Sequence, residues 1–220
     1  MTSPSPLIRI RRILEEADTR SYEYEWHDEK VFSLTSLNFR DFATADSRDA
    51  HIHSRVNALS NIKRAIECQV DELLWYCCVL PIAQKKHWNF PMKLEVLGKI
   101  GILAPRILTR INQKRNQLEH QYLRPSQKDV QDGLDVMMLF LEYTLPFCSN
   151  IKKIAVQKGR RAEYDIVFDE KHETITLRRS GKEAKVTIRS CATEDVLQFA
   201  RTLVVCALGA SRSGPTLLST

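Results

Sequence analysis

Between Val56 and Leu80 the apolar residues Leu59, Ile62, Ile66, Val70, Leu73, Cys77 and Leu80 recur every three or four positions. That period lays a single stripe along a helix, so the spacing predicts one long helix, stopped by Pro81. A shorter helix is predicted over Pro91 to Ile100, with Pro91 in its first turn and Gly101 just past its end. A third is predicted from about Ala104 to Leu123, with Ile107, Ile111, Leu118 and Tyr122 on one stripe and Pro125 closing the segment. Ser126 followed by Asp129 reads as an N-cap close to a capping box. The helix it opens carries Val130, Leu134, Met137, Met138, Leu141 and Leu145 and should end near Pro146. Residues 56–147 are thus expected to form an antiparallel helical bundle.

After Asn150 the period drops to two. Tyr164, Ile166 and Phe168 alternate with Asp165 and Val167, Ile175 and Leu177 with Thr174, Thr176 and Arg178, and Val186 and Ile188 with Thr187 and Arg189. Turn-like segments separate these runs, at Gly159, at Glu170-Lys171-His172 and at Ser180-Gly181. Thr193 reads as the cap of a last helix, with Glu194 and Asp195 in its first turn and Gly209 as its stop. Residues 148–210 are therefore expected to be a small β-meander plus a helix, and 211–220 a disordered tail. Residues 1–55 have no clear period beyond a short helix over Pro6 to Ala17. The expected class is α+β: a helical bundle followed by a small antiparallel β-meander and a C-terminal helix.

Composition narrows the class further. A chain of 220 residues with 43% hydrophobic and 27% charged residues is that of a globular protein, which excludes collagen-like and low-complexity chains. The apolar run from Leu203 to Ala210 is far shorter than the ~20 residues of a membrane span. The start, Met1-Thr2-Ser3-Pro4-Ser5-Pro6, lacks a charged and then apolar leader. A cytoplasmic protein is expected. Its six cysteines include no CxxC pair and no zinc-ligand spacing, and Cys77-Cys78 read as small core fillers. Neither disulfide, metal nor other cofactor is expected.

The net charge of +6 is uneven: residues 1–56 carry −2, residues 57–150 +3 and residues 151–220 +5. A basic second half suits an anionic partner such as RNA, and equally an ordinary solvated face. Arg178, Arg179, Lys182, Lys185 and Arg189 cluster along one expected hairpin. They are candidate phosphate contacts, although hairpin edges also carry such charges to discourage edge pairing. His87 and Trp88, after Lys85-Lys86, read as a loop at one end of the bundle.

The candidate chemistry lies in Lys114-Arg115-Asn116-Gln117-Leu118-Glu119-His120-Gln121-Tyr122. At about 100° per residue, Asn116 and His120 share a helical face, whereas Arg115 and His120 lie about 140° apart. One copy therefore places the arginine and histidine poorly for joint action, and two facing helices do better. Arg-x4-His also occurs at Arg48 to His53, and a six-residue variant at Arg20 to His27. What distinguishes Arg115 is the amphipathic helix expected on either side.

Arg115-Asn116-x-x-x-His120 in that setting resembles the motif of the HEPN superfamily (higher eukaryote and prokaryote nucleotide-binding domain), over roughly Val56 to Leu145. The resemblance implies a metal-independent endoribonuclease whose site forms at a homodimer interface from Arg115, Asn116 and His120 of both copies. A histidine with an ordinary pKa of about 6.5 can move the 2′-hydroxyl proton, and a guanidinium can stabilise charge on phosphate. The extension to Tyr122 is similar to HEPN toxins paired with nucleotidyltransferase antitoxins. It implies that Tyr122 accepts AMP, in a toxin or defence setting, although Tyr122 also fits a core position. The alternative is a non-catalytic HEPN-like module that dimerises and recognises nucleic acid or a protein.

Overall fold

The computed structural model describes residues 5–24, 32–49, 51–102, 108, 124–148, 150–159, 162–169 and 171–212, with side chains as far as Cys206. They form seven helices, α1 (Pro6–Glu15), α2 (Ser36–Ser47), α3 (Ile52–Tyr76), α4 (Leu80–Lys85), α5 (Phe90–Lys99), α6 (Gln127–Thr144) and α7 (Thr193–Arg212). Five strands accompany them: β1 (Thr19–Tyr24), β2 (Ile151–Lys158), β3 (Ala162–Phe168), β4 (Thr174–Arg179) and β5 (Lys182–Thr187). Two compact units share the chain. Unit one comprises Met1–Asp28, Leu73–Ile102 and Pro146–Thr220, and unit two Glu29–Glu72 and Leu103–Leu145. The architecture is α+β, with helices and an antiparallel sheet.

In unit one the five strands form an antiparallel sheet in the order β1-β2-β3-β4-β5. The expected meander is present, and β1 extends it. Residues 1–55 have no strand period, yet Arg20 and Tyr22 pair with Val156 and Ile154 across more than half the chain. β2 is equally hard to foresee, because the register shifts between Glu23 and Tyr24 opposite Ile151 and breaks the alternation. One face of the sheet carries Ile154, Val156, Ile166, Phe168, Ile175, Leu177 and Val186, all buried. Leu7, Ile10 and Leu14 of α1 and Val196, Phe199, Ala200 and Leu203 of α7 are buried with them. Arg20 Nε donates to Leu14 O at 2.9 Å, which satisfies a carbonyl left over at the end of α1.

Three helices of this unit end in the same way. After α3, Cys78 takes φ 60°, its N–H donates to Trp75 O at 2.9 Å and the Val79 N–H reaches back to Leu74 O at 2.7 Å. This is a Schellman cap. His87 (φ 52°) repeats it after α4 and Gly101 (φ 95°) after α5. The cap at Cys78 corrects the expected stop at Pro81. The long helix ends at Tyr76, and Pro81 sits in the first turn of α4, where its missing N–H costs nothing. α5 follows expectation, with Asn89 capping it by accepting the Met92 N–H at 3.1 Å. α7 continues through Gly209 to Arg212, because glycine ends a helix only where φ turns positive. Ser211 and Arg212 are therefore helical, and residues 213–220 lie outside the described residues.

In unit two α6 begins as expected. Ser126 Oγ accepts the Asp129 N–H at 3.1 Å, and Asp129 accepts the Ser126 N–H at 3.0 Å. Gly133 on α6 faces α3 so closely that a Cβ there would lie 3.2 Å from Ile62 Cδ1. α2, in the stretch that sequence periodicity left unassigned, is joined to α3 and α6 by buried polar groups. Ser36 Oγ donates to Gln69 Oε1 at 2.7 Å, and Gln69 Nε2 donates to Thr144 Oγ1 at 2.8 Å. Buried polar groups linked in series restrict the ways three helices can pack. The helix expected over 104–123 lies outside the described residues, save for buried Leu108.

Candidate functional site

Arg115, Asn116, His120 and Tyr122 lie outside the described residues. The described helices on either side of their segment are α5, in unit one, and α6, in unit two. One of the two competing arginines has local work. Arg20 caps α1 as described above, and His27 lies outside the described residues. Arg48 occupies the C-cap position of α2, where its backbone N–H donates to Ala45 O. Beside it, Asp49 accepts the His51 N–H at 3.0 Å and the Ser54 hydroxyl at 2.8 Å. Those bonds hold the Asp49 carboxyl below the usual range. His53 stands exposed beside Asn57.

The five hairpin cations do not share a surface. Cross-strand partners lie on the same face of a sheet. Leu177 pairs with Ala184 and Arg179 with Lys182, which puts Arg179 and Lys182 on the face that carries the core. Arg178 pairs with Glu183 and Lys185 with Thr176, on the opposite face. Arg178 is also neutralised, with Nε 2.7 Å from Glu183 Oε1. Arg179 lies 4.9 Å above the Tyr164 ring, a cation–π contact that leaves guanidinium edges open to an anion. Arg189 lies beyond β5 in a short 3-10 turn. It binds Glu173 at 3.0 Å and Gln84 at 3.2 Å, while Lys85 Nζ donates to its carbonyl at 2.9 Å. Arg189 therefore ties the β5 end to α4. The unpaired cations of the hairpin face two directions.

A different constellation emerges in the core of unit one. His172, in the β3–β4 turn at φ 52°, is 2% exposed and stacks on Trp75 with ring centroids 4.2 Å apart. Its Nε2 lies 3.1 Å from Asn150 Oδ1 and its Nδ1 3.8 Å from Cys78 Sγ. Trp75 O already accepts the Cys78 N–H. Nδ1 also lies 3.3 Å from Trp75 O. When Nε2 carries the proton it donates to Asn150 and Nδ1 can accept the thiol proton, and when Nδ1 carries it, it donates to Trp75 O. Thiol, imidazole and amide stand in the order of a nucleophile, base and orienting group.

Burial decides what that order can do. Desolvation pushes the Cys78 thiol well above its usual range and draws His172 down to about 4. Both groups are neutral at pH 7, and a thiolate is the species that attacks. Cys78 has no exposed surface, so substrate has no approach. The trio is a packing cluster that locks the α3 cap to the β3–β4 turn. Sequence reading treats Cys78 as a core filler and His172 as a turn residue, and nothing local signals their contact across 94 positions.

Unit one also carries a hollow of about 410 Å³ between α1 and the β4–β5 hairpin. Ile10, Ile13, Arg9 and Arg12 of α1 and Leu177 and Ala184 of the hairpin are among the residues that line it. Arg9 and Arg12 carry no motif, and only the placement of α1 on the sheet makes them neighbours of Leu177.

No protein-family model, curated protein or solved structure matches this chain. No described helix is long and apolar enough to cross a membrane.

Proposed function

We propose that this protein is a metal-independent endoribonuclease of HEPN type that acts as a homodimer. The observation that carries the reading is the Arg115-Asn116-x-x-x-His120 segment between two amphipathic helices. In this reading His120 takes the proton of an RNA 2′-hydroxyl, Arg115 stabilises charge on the phosphate and Asn116 orients His120. The 2′-oxygen attacks the adjacent phosphorus and the 5′-oxygen leaves, so the products carry a 2′,3′-cyclic phosphate and DNA is not cut. The capping role of the Arg20 side chain counts against that match. Tyr122 would be the residue that a nucleotidyltransferase partner modifies with AMP.

The test is incubation of single-stranded RNA in EDTA with wild type, His120→Ala, Arg115→Ala and the control His53→Ala. Wild type and His53→Ala should cut, with loss of about 100-fold or more in the other two, the scale of an acid–base or oxyanion group. Cleavage that survives His120→Ala, or that EDTA abolishes, would overturn the reading.

A further inference from the structure

We propose that the open edge of β5, with the hollow beside it, receives an extended acidic segment of a partner protein, which adds a further strand to the sheet. The proposal concerns unit one alone and does not rest on the ribonuclease reading.

The backbone supplies the first observation. β5 ends the strand order and pairs only with β4. Ser180 (φ 47°) and Gly181 (φ 77°) make a two-residue turn of type I′ between the paired residues Arg179 and Lys182. The pair next to such a turn exchanges both backbone bonds, and bonding then alternates along the ladder. Lys182, Ala184 and Val186 therefore turn their backbone groups to β4, whereas Glu183 and Lys185 turn theirs outward. Those outward groups have no backbone partner among the described residues, and both residues are exposed. An antiparallel segment laid along β5 meets the N–H and C=O of both in register.

The second observation is what lies beside that edge. The residue of an added strand opposite Ala184 projects on the same face as Ala184, and that face is turned to α1 and the hollow. Of the residues that line the hollow, Ile10, Ile13 and Leu177 are buried, whereas Ile8 and Ala184 are half-buried. One aliphatic side chain entering from the edge packs on those last two. An open strand edge for main-chain bonds, with a recess for one side chain of the incoming strand, is how sheets take up extended peptides.

Charge selects the partner. Lys182 lies on the α1 face of β5 and Lys185 on the opposite face, while Arg9 lines the hollow. All three are exposed and enter no ion pair among the described residues. Arg12 acts on Glu16 and Arg178 binds Glu183, so neither adds to that charge. Lysines on an edge repel a basic strand, and the same field favours an acidic one. The fitting segment carries an aliphatic residue opposite Ala184 and carboxylates opposite Lys182 and Lys185.

The probe is the fluorophore-labelled peptide Thr-Val-Glu-Leu-Thr-Glu-Ser, blocked at both ends, which meets that pattern when its leucine stands opposite Ala184. Its affinity for the full chain is read by fluorescence anisotropy. A second peptide has lysine for both glutamates. A third is N-methylated on the two residues flanking leucine, whose N–H groups face β5, and a fourth on leucine itself, whose N–H faces away. Wild type should bind the probe, with the second and third peptides each about tenfold or more weaker, the scale of two lost hydrogen bonds or reversed charges. The fourth should match the probe within about twofold. Lys182→Glu should lose about fivefold, the upper scale of an exposed charge pair, and Lys128→Gln, on unit two, nothing. With the probe bound, hydrogen exchange should slow at the amides of Glu183 and Lys185 and stay unchanged at Ala184, which already bonds to β4.

No binding at about 1 mM probe, the weak end of specific recognition, would overturn the proposal. So would equal losses on the third and fourth peptides, or a loss that follows charge while ignoring N-methylation, which marks attraction without strand addition. Lys185→Pro removes an outward N–H and no bond to β4. If wild type self-associates by light scattering and Lys185→Pro abolishes it, a second copy is the occupant and the proposal fails. The peptide changes leave the fold untouched, and no RNA enters the measurement, so failure here and failure of the ribonuclease reading are told apart.

Discussion

His172 shows how much one side chain can set. Its ring fills the space between Trp75 and Phe168, with centroids 4.2 Å and 5.6 Å away, and its two nitrogens meet Asn150 on one side and Trp75 O and Cys78 on the other. Burial, the largest influence, lowers its pKa to about 4, against the opposing pull of Trp75 O and Asp169. In the unfolded chain the ring titrates near 6.5. Below that pH the unfolded state binds a proton the folded state refuses, so stability falls as pH drops from about 6.5 through about 4. The loss should approach about 3 kcal/mol, the scale of a shift of two to three pKa units. Urea unfolding at steps between pH 7 and 4.5 checks this. His172→Asn, which tolerates the left-handed backbone, should be less stable than wild type at pH 7 and close the gap as pH falls. A gap constant with pH would show that the ring does not titrate as described. Cys77 and Cys78, both buried with thiols pushed upward, should resist iodoacetamide in the native protein and react once it unfolds.

Among the elements, the three Schellman caps form an internal comparison. The geometry is the same, yet it is met by a buried cysteine, an exposed histidine and a glycine. A left-handed residue with a Cβ costs about 1 kcal/mol relative to glycine. His87→Gly should therefore raise stability by about 0.5–1 kcal/mol, because the exposed ring gives up little packing. Gly101→Ala should lower it by a similar amount, since φ 95° suits no L-residue. Thermal unfolding of the two variants reads both signs, and equal shifts in one direction would refute the comparison. Gly133 is a different case, mid-helix and set by proximity. A larger residue there must push Ile62, so Gly133→Val should cost about 1–3 kcal/mol, the scale of overpacking.

At the scale of the whole molecule, the proposed homodimer needs a surface. In unit two α6 leaves Leu139 72% exposed, with Tyr143 one turn on at 48% and Met138 at 40%. Apolar side chains grouped on one helix mark association surfaces more often than isolated ones do. Light scattering should show a dimer at tens of micromolar, and Leu139→Glu should shift it to a monomer. A monomeric wild type would remove a site built from two copies of Arg115 and His120.

What the sequence determined by itself is local. Ser126 and Asp129 start α6 because their bonds close within three residues, and α5 begins and ends on Asn89 and Gly101 for the same reason. The alternation along β3, β4 and β5 was legible because a half-buried strand writes its burial into every second residue. Pro81 misled because the stop signal was held by Cys78, a residue that carries no cap preference. Tertiary structure alone decided the rest. β1 found β2, His172 found Cys78 and Asn150, and Arg9 and Arg12 came to stand beside Leu177 and Ala184. Each of these joins surfaces far apart in the chain, and the half that lies in one window of sequence carries no mark of its complement. Only burial of the shared apolar face repays the entropy of bringing such segments together, and that gain exists only in the folded molecule.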